Sequence, residues 1–509
     1  MMDSAATPWW RLGRFAACSV LVAATTAVVT PAPAAAGGRF PPGAAGVGDP
    51  YFPTYGNGGY DVAHYDLDIR YAPSTDLLTG RAVIRARATA NLSSFNLDFV
   101  GLTIDGLFVD GRPAAYSRAG QELTIQRTLR EGSVFTVDVR YHGVPEPFPI
   151  QFPVRAWPSG FLHTDDGAVV AGFPEVAASW YPVNDHPIDK ASYSFAITVP
   201  AGLEAIANGV PRGQTSRAGW TTWRWEQRTP MISYLATAAI GEFDVRTTWR
   251  EGRPTVIAID PDLPPGFADD AVARTDEITD FFAGYFGPYP FEANGAIVDD
   301  FPDLVFSLEL QTRPIYSLDQ FDQGATTRET YVVAHEIAHQ WFGDSVGLRQ
   351  WDDIWLNEGF ATYAADYLWR EHLGEGTAQE VFDFFYAEPP DSPIWTPPPG
   401  DPGPGDLDLF GPSVNYRGAM TLHALRMTVG EDAFWRIVRA WYAEQRNGSG
   451  STGDFAALSE RISGQQLEGL FEAWLFTGSK PPYPQGAAPV PSVLVSPGLG
   501  PLRRHTPGR

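Results

Sequence analysis

The chain has 509 residues, with 36 basic against 60 acidic side chains and a formal charge of −24 at pH 7. A chain this long folds as two or three domains rather than one. Its negative balance excludes nucleic acid or an anionic membrane as the main partner, since either would repel such a surface.

Residues 1–36 read as a secretory signal peptide. Arg11 and Arg14 form a basic start, Phe15–Val29 is apolar, and small residues from Pro31 to Ala36 offer a cleavage site. Fifteen apolar residues are short for a membrane span, so the expectation is a secreted, extracellular protein with no membrane insertion once the signal is removed. The only cysteine, Cys18, lies in that apolar run. The mature chain then has no thiol, so any metal must be held by His, Asp or Glu.

Residues 45–250 are expected to form a β domain. Tyr65, Leu67, Ile69 and Tyr71 alternate with Asp66, Asp68 and Arg70. The same period of two recurs through Phe135, Val137, Val139 and Tyr141, and through Tyr193, Phe195, Ile197 and Val199. Strands of this kind have one buried and one wet face, as in an antiparallel sandwich or saddle. After Pro264-Pro265 the period becomes helical, through Ala271, Thr275, Ile278, Phe282 and Tyr285. Helical patterns return at 327–342, 354–373, 416–429 and 431–445, while 387–412, rich in Pro, Gly and Asp, reads as a long loop. The class is therefore α+β, with a mainly helical catalytic domain over 251–480. A Pro-rich disordered tail is expected over 481–509.

The chemistry concentrates in His335-Glu336-Ile337-Ala338-His339 and the later Glu358. Thr326 and Glu329 stand at capping-box spacing, which predicts a helix start there. On that helix His335 and His339, four residues apart, share one face and can direct two imidazole nitrogens at one ion. Glu336 falls beside the ion and is placed to take a proton from water. The helix is expected to stop near Gly343, and a second to run from about Asp353 to Leu373 with Gly374 as its terminator. Folded back, that second helix brings Glu358 in as a third ligand and leaves a fourth position for water. With nine histidines in the chain, the pentad alone arises by accident in roughly one such sequence in a hundred, so Glu358 is needed to make it a site. A third histidine at position 345, as another zinc class would need, is absent, because that residue is Ser345. His64, His142, His163, His186, His372 and His423 show no ligand spacing.

The run His335–Asp344 together with Trp355–Tyr363 resembles the M1 family of zinc aminopeptidases, whose HExxH, eighteen intervening residues and Glu match here without a gap. Trp180-Tyr181-Pro182-Val183-Asn184-Asp185-His186-Pro187 also resembles a landmark of that family's N-terminal β domain. The resemblance covers about residues 50–480 and is to the short, secreted bacterial type. It implies a thermolysin-like catalytic domain and one Zn2+ held by His335, His339 and Glu358. It further implies Glu336 as general base and a peptide substrate with a free N-terminus, whose amine Glu309 would bind. Three departures stand out. Leu310 replaces a polar residue, and Phe173, in Gly172-Phe173-Pro174-Glu175, replaces another near the amine site. Asn415 stands where the family has a tyrosine that steadies the oxyanion, and the neighbouring Tyr416 is turned away by about 100° on a helix. The sequence thus favours a zinc aminopeptidase weakened at Asn415. It leaves open an endopeptidase on the same site, or a catalytically silent peptide-binding protein.

Overall fold

The computed structural model describes residues 40–484, apart from 152–155, 175, 322–325 and 404. The segment expected to be a signal peptide and residues 485–509 of the expected tail lie outside the described residues.

The alternation becomes a strand, Tyr60–Ala72, in which Tyr65, Leu67, Ile69 and Tyr71 are each 2% exposed or less. It lies near the middle of a sheet ordered Val210–Arg217, Trp220–Ile232, Lys190–Pro200, Tyr60–Ala72, Leu77–Ala88, Val134–Gly143, Thr103–Val109 and Arg112–Pro113. Neighbours pair antiparallel as expected, except Tyr60–Ala72 with Lys190–Pro200, which run parallel with Ile69 opposite Ile197. A long excursion separates those two strands in sequence, which lets the chain re-enter in the same direction.

A second sheet includes Ala168–Ala171 and Ala238–Gly241, and every residue of these two strands is buried. Covered on both faces, such strands read as short apolar runs instead of alternating ones. The division expected at 250/251 runs through a hairpin: Asp244–Arg250 pairs with Arg253–Ile259, which pairs in turn, in parallel, with Asn294–Val298. Strand structure therefore continues into the helical half.

That half contains Thr275–Phe286, Thr326–His339, Trp355–Thr362, Gly418–Val429 and Glu431–Gln445, close to the expected helices. The element after Thr362 continues as a π-helical stretch Tyr363–Trp369 and ends at His372, with Gly374 at φ 73° as the turn-off. Among the described residues two longer helices were not foreseen, Ala378–Tyr386 and Thr452–Ser463, nor were the short helices Glu468–Phe471 and Asp406–Leu409, the latter inside the segment 387–412 expected to be a loop. The two longer ones carry their own start signal. Each opens on a capping box, Thr377 with Glu380 and Ser451 with Asp454, so the signal was present in the sequence. No described helix is long and apolar enough to cross a membrane.

Candidate metal centre and active site

The helix Thr326–His339 buries Val333, Ala334, Ile337 and Ala338, which fixes the face that His335 and His339 present. Four residues past its end stands Gly343, whose φ of 137° suits glycine and whose amide donates to the Val346 carbonyl. Val346–Leu348 then pairs with Gly448–Gly450, and the chain turns through Trp351–Asp353 into the second site helix, Trp355–Thr362. Asp353 accepts hydrogen bonds from the Thr452 amide and hydroxyl at 2.7 and 2.8 Å, pinning the start of that helix. Phe342 stacks on Phe360 at 4.2 Å and joins the two helices.

Glu358 meets the two histidines as the sequence expects. The Nε2 atoms of His335 and His339 are 3.1 Å apart, and Glu358 Oε2 lies 3.4 Å from the first and 3.9 Å from the second. Ligands bound tetrahedrally at about 2.0–2.1 Å are separated by roughly 3.3 Å, so these three atoms are spaced to share one ion. His339 Nδ1–H donates to the Phe342 carbonyl at 3.1 Å, which leaves Nε2 with its lone pair free. His339 is buried, whereas the side chains of His335 and Glu358 remain 23% and 13% exposed, so the cluster opens on their side.

Beside this trio, ligand atoms of Glu309, Glu336 and His339 lie within 4.8 Å of one another. Glu309 sits in a tight loop closed by reciprocal backbone bonds between Leu308 and Ile315. Gln340, next after His339, clamps that loop to the helix: its amide donates to the Glu309 carbonyl, and its oxygen accepts from the Thr312 amide, both at 2.8 Å. Burial, with Glu309 and Glu358 close by and against the pull of His335, holds the Glu336 carboxyl well above the usual range. Burial also keeps the His339 imidazole low and hence neutral. Burial would lower His335 as well, but the hydrogen-bonded Glu358 raises it to about 9. Two imidazoles and the Glu358 carboxylate form a donor set for a divalent cation, with the Glu309 and Glu336 carboxyl groups beside it.

The N-terminal domain model of peptidase M1 matches residues 62–235, and the peptidase family M1 domain model matches 314–392. The crystal structure of an M1 zinc metallopeptidase from Deinococcus radiodurans is similar at TM-score 0.78 and 30% identity, covering 87% of this chain and all of that one. The chain belongs to the M1 family. A mutant of that M1 enzyme, bound to Tyr-Ser-Ala substrate, gives the same TM-score, identity and coverage. The probable aminopeptidase 1 of Saccharolobus solfataricus is 26% identical, over 76% of this chain and 50% of its own. The glutamyl aminopeptidase of Homo sapiens is 24% identical, over 81% and 46%. The chain thus spans about half the length of the curated relatives it matches.

Zinc, the metal of M1 enzymes, suits this donor set of two imidazoles and one carboxylate. Asn415, the expected departure at the oxyanion, has its side chain engaged within the protein. Asn415 lies in a π-helical turn, Ser413–Arg417, where π-bulges often mark functional positions. Its Oδ1 accepts from Thr362 Oγ1 at 3.2 Å, one turn beyond Glu358, and its Nδ2 donates to the Gly411 carbonyl at 3.4 Å. Tyr416 stacks on Phe385 at 4.6 Å. Its neighbour Arg417 is fully buried and donates to the carbonyls of Trp395, Ala473, Trp474 and Thr477, a structural clamp. Leu310 is buried. Phe173 packs on Phe410 at 3.9 Å and Phe306 at 5.7 Å, while Glu175 lies outside the described residues.

Among the described residues, the six histidines other than His335 and His339 have structural partners, such as Ser192 for His64, Asp105 for His142 and Asp49 for His186. His163 meets the Tyr71 hydroxyl, His423 meets Gln379, and His372 stacks on Trp369. Two features escaped the sequence. Gln340 was visible as the residue adjoining His339, but its role was not. Tyr234, whose hydroxyl donates to Glu309 Oε1 at 2.6 Å, gave no signal at all.

Proposed function

We propose that the protein is a secreted zinc aminopeptidase that removes the amino-terminal residue of peptides, with turnover reduced by Asn415. The observation that carries this reading is the meeting of His335, His339 and Glu358 around one point, with Glu336 and Glu309 beside it. In this reading His335, His339 and Glu358 hold the metal. Bound zinc supplies a Lewis acid that acidifies water and polarises the scissile carbonyl. Glu336 takes the proton from the attacking water and later gives it to the leaving amine. Glu309 receives the substrate's α-ammonium, which limits cleavage to the first bond. The related Deinococcus radiodurans enzyme, solved as a mutant bound to Tyr-Ser-Ala substrate, supports a peptide substrate.

The Asn415 amide, engaged with Thr362 and Gly411, supports a weakened oxyanion contact. Secretion rests on the basic and apolar start of the chain. The test compares zinc-loaded protein on free-amine and N-acetylated forms of the same peptides. Cleavage of the free-amine form alone is expected; equal cleavage of both would refute the amino-terminal assignment.

A further inference from the structure

Glu309 is fastened from two directions. Gln340, directly after the metal-site helix, holds its backbone, and Tyr234, 75 residues earlier in the chain, holds its carboxylate. Tyr234 is 3% exposed and belongs to the short turn Ser233–Leu235, which follows the long strand Trp220–Ile232 of the N-terminal sheet. That turn is itself tied down. Ser233 Oγ donates to Asp185 Oδ1 at 2.7 Å, and Asp185 Oδ2 accepts from the Ala178 amide at 3.1 Å. Asn208 donates to the carbonyls of both Leu235 and Gln311 at 2.8 Å, so the turn and the Glu309 loop share one bridge. The Tyr234 ring packs at 5.8 Å from Trp351, at the entry to the second site helix.

A carboxylate with one oxygen engaged by a fixed phenol has a defined orientation and keeps its second oxygen for another donor. Burial and the adjoining Glu309 charge hold the Tyr234 phenol well above its ordinary range, so it remains a donor at all working pH values. We propose that Tyr234 is a positioning residue that aims Glu309 at the substrate's amine, so that the N-terminal β half helps set the preference for a free amino terminus. The proposal rests on the aminopeptidase reading above and assigns a role to a residue outside the catalytic helices.

The test uses full-length, zinc-loaded protein carrying Glu336→Gln, so that peptides bind without turnover. Calorimetry measures a leucyl dipeptide and its N-acetyl form against this parent, against added Tyr234→Phe, against added Glu309→Gln, and against all three changes. Tyr234→Phe keeps the ring and removes only the hydroxyl. It is expected to weaken the free-amine peptide about tenfold, as loss of a hydrogen bond to a charged group does, with the acetylated peptide unaffected. Added to Glu309→Gln it should change nothing further, because its effect passes through Glu309. Unchanged preference in Tyr234→Phe would overturn the proposal, as would equal weakening of both peptides. A parent indifferent to acetylation would instead overturn the amine-recognition reading beneath it.

Discussion

The two ends of the site are built in opposite ways. At the metal end, His335 and His339 lie one helical turn apart, and Glu358 arrives on the next helix after a short connection. At the amine end, Glu309 depends on Gln340, 31 residues later, and on Tyr234, 75 residues earlier, with Asp185 behind it. The first is a local device whose spacing the helix period dictates. The second is assembled by tertiary contacts between a sheet and a loop, for which no residue spacing is required. The difference separates what a metal site needs, ligands rigid to within tenths of an ångström, from what substrate selection needs, one carboxylate held at the correct angle.

Substitutions should therefore separate the two ends. The largest effect is expected from Glu336→Gln, which should lower turnover by about a hundred- to ten-thousand-fold while bound zinc stays at one per chain. Loss of zinc from that variant would make Glu336 a ligand and erase the division of labour. Asn415→Tyr should raise turnover on aminoacyl amides by about a hundred- to thousand-fold with little change in peptide affinity, by restoring an oxyanion donor. No gain would show that Asn415 is not the limiting departure. Gly359→Ala should act on the metal end alone. Its added carbon would stand 2.8 Å from the Gly418 carbonyl carbon, and backbone cannot yield there. Overpacking of this kind costs about 1–3 kcal/mol, and the helix carrying Glu358 must shift. Denaturant melts and zinc titration should both show the loss, whereas the ratio of free-amine to acetylated peptide binding should hold.

How much of this was legible in the sequence follows the same division. Alternation marked the strand Tyr60–Ala72, because its outer face is wet. It could not mark Ala168–Ala171 or Ala238–Gly241, which are buried throughout. The parallel pairing of Tyr60–Ala72 with Lys190–Pro200 was invisible for another reason, since strand composition carries no direction. His335, His339 and Glu358 were readable from spacing, and the structure brings them together. Glu309 was assigned by resemblance alone, and nothing near Tyr234 announced its partner. Gly359 and Gly418 meet backbone to backbone, a contact that two isolated glycines in a sequence do not reveal.

The central claim, that three side chains from two helices hold one zinc ion, is tested most directly by metal titration. Chelator-stripped protein should take up one equivalent of zinc tightly, and His339→Ala, keeping its fold by circular dichroism, should lose that uptake. Full uptake by His339→Ala, or none by the well-folded parent, would contradict the account.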